Sequence, residues 1–372
     1  MTPIVVSGAL ANKSRSGGEA WVRMNWVLGL RRLGFDVYFV EQISAAPALA
    51  EGIRYFEAVM AEFGLLGRAA LLRDDGEHLA GLHLGELMDA APELLINISG
   101  HLCLEPLFSR FKRRVFIDID PGFTQFWSAA GNPGARLDGH DVFYTIGQNI
   151  GSPECPIPTC GYEWRKTFPP VVMESWMPPP EPSFDRFTTV ANWRGSYGAI
   201  EFQGRTFGLK VHEFRKFAGL PRLTGLPFEV ALGIHPGDHK DRTALEAQGW
   251  RIVDPSTAAG TPGDYREYVR SSGAEFSVAQ GIYVQTSSGW FSDRTAVYLA
   301  AGKPALVQDT GFSRRLPAGR GLMAFASLDE AAGAAAEIAA HHSEHSRAAR
   351  AVAEEFFDSD KVLGRLLAEV AP

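Results

Sequence analysis

The stretch that decides the fold is Ser287-Ser288-Gly289-Trp290-Phe291-Ser292-Asp293-Arg294-Thr295-Ala296-Val297-Tyr298-Leu299-Ala300-Ala301-Gly302-Lys303-Pro304-Ala305-Leu306-Val307-Gln308-Asp309-Thr310-Gly311-Phe312. It reads as a small-residue loop, a short helix, a glycine stop, an apolar strand and a second glycine loop. Ser292 stands where a hydroxyl caps a helix N-terminus. Gly302 suits the position just past the helix end, and Pro304 prevents continuation. The loop then offers backbone N–H groups at the positive end of a helix, with Arg294 in its first turn. That combination takes an anion. The strand after it ends in polar residues and glycine, the place where open α/β sheets bind ligands.

The same grammar runs through the rest of the chain. A strand at Ile4–Gly8 leads through a glycine-bearing loop to a helix over about 19–33, which Gly34 ends, and to a strand at Val37–Val40. This is a βαβ start with a parallel sheet. Further strands fall at Leu94–Ile98, Arg114–Asp118 and Asp141–Thr145, each followed by a polar or glycine loop. Six prolines lie between Pro169 and Pro182, and Pro178-Pro179-Pro180 fits neither a helix interior nor a central strand. A second α/β run follows, with strands at Phe187–Ala191, Phe228–Leu232 and Ala274–Val278 and a helix near 209–217. Ser327 and Glu330 form a capping box. In the tail Leu363, Leu366, Leu367 and Val370 share one helical face. The fold class is α/β: two Rossmann-like domains facing a cleft. The boundaries are 1–170 for the first Rossmann-like domain, 171–187 for a proline-rich linker, 188–355 for the second Rossmann-like domain and 356–372 for a C-terminal helix.

Bulk properties narrow the function. A 372-residue chain exceeds one ordinary core. Its 45% hydrophobic and 21% charged residues fit a globular protein. A net charge of −7 argues against sequence-independent nucleic-acid binding. Three cysteines without a CxxC pair give no zinc pattern. No apolar run reaches the length of a membrane span, and no signal peptide is visible. A cytoplasmic protein without an integral membrane segment is the expectation.

Two Rossmann-like domains, a proline linker and a helical tail resemble the GT-B glycosyltransferases. The anion loop, short helix, Gly302-Lys303-Pro304 and apolar strand are similar to their donor-nucleotide element. The resemblance implies a nucleotide-diphosphate sugar as co-substrate, with no further cofactor and no metal. The partners are that donor and a small-molecule or glycan acceptor. Many retaining members carry two glutamates eight apart across this helix; here the positions hold Gly289 and Val297. The Gly17-Gly18 loop resembles the first glycine loop that faces the donor from the other domain.

Site expectations follow from both readings. Ser288, Gly289, Ser292 and Arg294 would hold the diphosphate, with Gly17 and Gly18 opposite and Arg194 and Lys210 as further cations. Thr310 and Gly311 would meet the donor sugar through backbone N–H groups. Asp120, at the end of a strand in Asp118-Ile119-Asp120, or His101, after Ser99-Gly100, would take the acceptor proton. Asp118 and Asp120 as metal ligands belong to the other glycosyltransferase fold, GT-A, which this layout does not suit. A dipole-favoured first-turn acid is the plain reading of Glu19, and capping that of Asp293. His140 reads as structural, Trp193 as core, and His341, His342 and His345 as solvated. The alternatives are a non-hydrolysing nucleotide-sugar epimerase and a non-catalytic sugar- or nucleotide-binding protein. A dehydrogenase is disfavoured, because the first βα loop lacks G-x-G-x-x-G.

Overall fold

A computed structural model describes residues 3–44, 49–195 and 197–370. The first domain is built on β1 (Ile4–Ser7), β2 (Val37–Ile43), β3 (Ala69–Arg73), β4 (His78–Gly81), β5 (Leu94–Ile98), β6 (Arg113–Asp118), β7 (Val142–Thr145) and β8 (Trp164–Lys166). They form one sheet in the order β4-β3-β2-β1-β5-β6-β7-β8. All neighbours are parallel except β3 and β4. The near-continuous apolar runs of β1 and β5 are what a parallel sheet covered by helices on both faces requires, and every residue of both strands is buried.

The second domain holds β9 (Phe187–Asn192), an antiparallel ribbon of β10 (Ile200–Phe202) and β11 (Arg205–Phe207), β12 (Phe228–Gly233), β13 (Trp250–Val253), β14 (Ala274–Ser277), β15 (Ala305–Gln308) and β16 (Leu322–Phe325). Its six-stranded parallel sheet has the order β13-β12-β9-β14-β15-β16. Strand order reverses between β1 and β5 in one sheet and between β9 and β14 in the other. Ligands of open α/β sheets bind beyond the strand ends at such switch points.

The helices meet expectation closely where capping and periodicity are strong. The first spans Gly17–Arg32, and the helix of the opening stretch spans Asp293–Ala300 with Gly302 at φ +66° behind it. Ser327 caps Leu328–Ala340, accepting from the Glu330 N–H at 3.2 Å. One detail differs. Ser292 occupies the N-cap position of Asp293–Ala300, yet its hydroxyl makes no capping bond.

The proline-rich segment is more than a tether. Val171, Met173 and Trp176 are buried in the second domain's core, and Val171 pairs with Asp358. The final helix, Ser359–Val370, returns to the first domain, where Leu363, Leu366 and Val370 join its core. The last two residues of the tail lie outside the described residues. The chain thus crosses between the domains twice.

The domains also meet directly. The Trp21 indole N–H donates to the Pro262 carbonyl at 2.9 Å. On the other flank the β10–β11 ribbon lays Phe202 and Phe207 against Phe126 at ring distances of 4.8 and 4.9 Å.

Candidate active site

A cavity of about 430 Å³ lies between the two sheets at their switch points. From the first domain it is lined by the Lys13–Ser16 loop, Gly18 and Glu19 after β1, and by Asp120 after β6. From the second it takes Asn192 and Gly195 after β9, Lys210 after β11, Gln280 and Tyr283 after β14, and Ser292, Asp293, Arg294 and Val297 of the short helix.

Charge divides this cavity. Lys210 and Arg294 stand at one end. Lys210 is only 9% exposed. Burial, aided by repulsion from Arg294, brings its ammonium down to about 7. Glu275, the acid that acts on it, is already bonded to Arg294 at 2.6 Å. Lys210 is therefore a cation held near its titration point with no carboxylate of its own among the described residues. Beside it the helix Asp293–Ala300 presents a first turn whose N–H groups Ser292 leaves uncapped.

Three carboxylates from three elements face the other part. Asp120 is raised to about 6, chiefly by burial, with a hydrogen bond from the Tyr283 hydroxyl at 2.9 Å opposing the rise. Asp293 is raised to about 7 by burial, opposed by Arg23 and aided by Glu19 and Asp120. Burial pushes Glu19 up too, but Arg23 and Lys13 outweigh it and hold this carboxyl below its ordinary value. Arg23 pairs with Glu19 one helical turn away.

Asp118, two residues before Asp120, has a different task. Its carboxylate accepts from Gln125 and Thr145 at 2.7 Å, Thr124 at 3.0 Å and the Asp120 N–H at 3.2 Å. It is fully committed to shaping the loop that carries Asp120. Among the described residues, no group of three or more His, Cys, Asp or Glu is placed to hold a metal, and no helix is long and apolar enough to cross a membrane.

The structure brings Gly18, Lys210, Arg294, Ser292 and Asp120 together, as the sequence suggested, and leaves others outside. Ser288, Gly289 and Gly311 form an inter-domain joint with Asn149, and Thr310 braces it from within the second domain. Gly289 donates to the Thr310 carbonyl at 2.8 Å, and the Asn149 carboxamide donates to the Ser287 and Gly311 carbonyls at 2.9 and 3.1 Å. Asn149 sits so close that a Cβ on Gly289 would lie 2.9 Å from its backbone nitrogen. Gly17 is likewise an inter-domain contact: it donates to the Ala259 carbonyl at 2.8 Å, and a Cβ there would fall 2.0 Å from the Thr261 carbonyl oxygen. Arg194 turns its 62% exposed side chain to Asp238. His101 lies outside the lining and receives an N–H from Arg136 at 3.2 Å. Burial and the nearby Arg23 and Arg136 bring its imidazole down to about 3.

Other readings are adjusted. Asp293, expected to serve as a cap, lines the cavity. It sits one turn before Val297, so a carboxylate does occupy this helical face. His342 and His345 are buried, bonded to the Gly273 carbonyl and the Gly321 N–H, and only His341 is exposed. His140 is structural, held by Leu137 and Asn97, and Trp193 is core, 1% exposed. Tyr283 and Gln280 had no sequence signal beyond their place after a strand.

No protein-family model matches the chain, and no curated protein matches it. Solved structures do. It is similar to HepE of Anabaena, solved with UDP and glucose, at 10% identity over 100% of each chain and a TM-score of 0.63. The sucrose-phosphate synthase of Thermosynechococcus elongatus matches at 10% identity over 99% of each chain, TM-score 0.54. AviGT4, a glycosyltransferase involved in avilamycin A biosynthesis, matches at 11% over 99% of this chain and 97% of its own, TM-score 0.55. These likenesses establish the fold, two Rossmann-like domains facing a cleft in the GT-B arrangement.

Proposed function

We propose that the chain is a glycosyltransferase that moves a sugar from a nucleoside-diphosphate sugar to a hydroxyl-bearing acceptor. The observation that carries this reading is Lys210, a buried cation paired with no carboxylate among the described residues, beside a helix N-terminus that the Ser292 hydroxyl leaves uncapped. That pairing suits a diphosphate, which supplies the charge that the site lacks. The ligand class agrees with HepE, solved with UDP and with UDP-glucose. In the transfer, the acceptor oxygen bonds to the sugar's anomeric carbon as the bond from that carbon to the β-phosphate oxygen breaks. Asp120 takes the acceptor proton, and the nucleoside diphosphate leaves against Lys210 and the helix dipole. That stabilisation needs no metal. Asp293, one turn before Val297, is placed to accept a hydrogen bond from a donor hydroxyl.

A second reading has its own support. Glu19, Asp120 and Asp293 give the cavity the several carboxylates that a non-hydrolysing epimerase needs to move a proton at carbon. Incubation with a panel of nucleotide sugars, followed by proton NMR, separates the two. Nucleoside diphosphate released only with an acceptor present supports transfer. Conversion of the donor sugar without an acceptor supports epimerisation. Neither outcome, together with no binding of any nucleoside diphosphate, overturns both.

A further inference from the structure

We infer that Tyr283 is the positioning residue for Asp120, supplied by the opposite domain, so that the base is set only when the two domains sit as they do here. The inference rests on the reading of Asp120 as the group that takes the acceptor proton. Tyr283 lies on the short helix Gly281–Gln285 after β14, and its side chain is 1% exposed. Its ring stacks on Trp290 of its own domain at 4.4 Å and meets Phe123 of the first domain edge-on at 6.1 Å. With the ring fixed on two sides, the hydroxyl has one direction left. It donates to Asp120 Oδ1 across the cleft at 2.9 Å.

That bond is the one side-chain hydrogen bond to the Asp120 carboxylate among the described residues, whereas Asp118 accepts three from side chains and a fourth from the Asp120 backbone N–H. One oxygen of this cavity-lining carboxylate is thereby anchored. The phenol remains a donor at any working pH, because burial and the nearby Asp120 push its pKa well up. A hydrogen bond to the ionised form favours that form. The charged groups that also act on Asp120 are Asp118 on its own loop, Glu19 and Lys13 from the helix and loop after β1, and Asp293 from the short helix of the second domain. Of these only Lys13 is cationic, so the Tyr283 hydroxyl is the main contact that keeps Asp120 ionised as a base.

The test is a carbon-13 NMR titration of the aspartate carboxyl groups in the ligand-free full chain, with Asp120 assigned through Asp120→Asn. In Tyr283→Phe the Asp120 midpoint should rise from about 6 by about one pH unit, a tenfold change in its protonation constant. Tyr298→Phe removes a hydroxyl just as buried, bonded instead to Thr188, and should leave Asp120 unmoved. An unmoved midpoint in a folded Tyr283→Phe protein overturns the inference. If that variant does not fold, Asp120→Asn should displace the Tyr283 ring resonances, and unchanged resonances overturn it equally. In turnover assays, the acid limb of kcat should move up with the same variant while the donor KM holds. The titration needs no substrate. Failure of turnover with every donor therefore counts against the proposed activity and leaves the positioning result standing.

Discussion

Arg294 donates its Nε to Glu275 at 2.6 Å, with the Arg294 side chain 14% exposed and that of Glu275 wholly buried. Its other nitrogens donate to the Val190 carbonyl and the Ser277 hydroxyl, both at 2.8 Å. The arginine that the sequence offers to an anion thus first ties β9, β14 and the short helix together. Arg294→Ala leaves a buried carboxylate without its cation and should cost about 3–5 kcal/mol of stability. Arg294→Lys should recover little of it, since an ammonium cannot reproduce the fork. Urea unfolding of the two variants measures both effects, and a loss confined to ligand affinity would contradict the tie.

Lys210 should behave in the opposite way. Its folded pKa of about 7 lies below that of an unfolded lysine, so the folded state holds fewer protons. The destabilisation is complete below pH 7 and disappears as pH rises toward 10. Lys210→Met should therefore be more stable than the parent at pH 6, with the difference closing by pH 10. The parent's affinity for a nucleoside diphosphate should fall as pH rises above about 7, and calorimetry should find that dependence absent in the variant.

Glu41 holds the turn that carries Lys13. Its buried carboxylate accepts from the Ala11 and Asn12 N–H groups at 2.6 and 3.4 Å, and burial raises it to about 7. Here the folded state takes up a proton that the unfolded chain releases near pH 4.3. Stability from this group is complete at low pH and declines as pH rises from about 4.3 to 7. Glu41→Gln should flatten that part of the profile relative to the parent, as followed by unfolding at pH 4, 5.5, 7 and 8.

Gly17→Ala should push the domains apart. The added methyl would meet the Thr261 carbonyl, backbone with nowhere to go. The expected cost is about 1–3 kcal/mol, the range for overpacking. Hydrogen exchange should quicken at 259–265 while the outer strands of both sheets keep their protection.

Much of the fold was legible because its central strands and helix ends carry strong local signals. The runs at 4–7, 94–98 and 305–308 are apolar on both faces, as buried parallel strands must be. The pieces that escaped were edge and ribbon strands such as β4, β10 and β13, short and partly polar, whose pairing is set by neighbours distant in sequence. The site was legible in part. Asp120 follows from its place at a strand end, and Lys210 from its charge alone, as a cation available to a diphosphate. Gly17, Gly289 and Gly311 look like ligand loops, because a glycine that admits another backbone reads the same as one that admits a phosphate. Their partners, Thr261 and Asn149, lie in the opposite domain. Tyr283 gave no signal, since its role exists only once the two domains face each other.

The most direct measurement is isothermal titration of the parent and of Lys210→Met with UDP, GDP, ADP and dTDP at pH 7. At least one nucleoside diphosphate should bind the parent, and the variant should bind it at least about tenfold more weakly, the loss of one charge-assisted hydrogen bond. Absence of binding for all four, or equal affinity in the two proteins, would contradict a diphosphate site at Lys210.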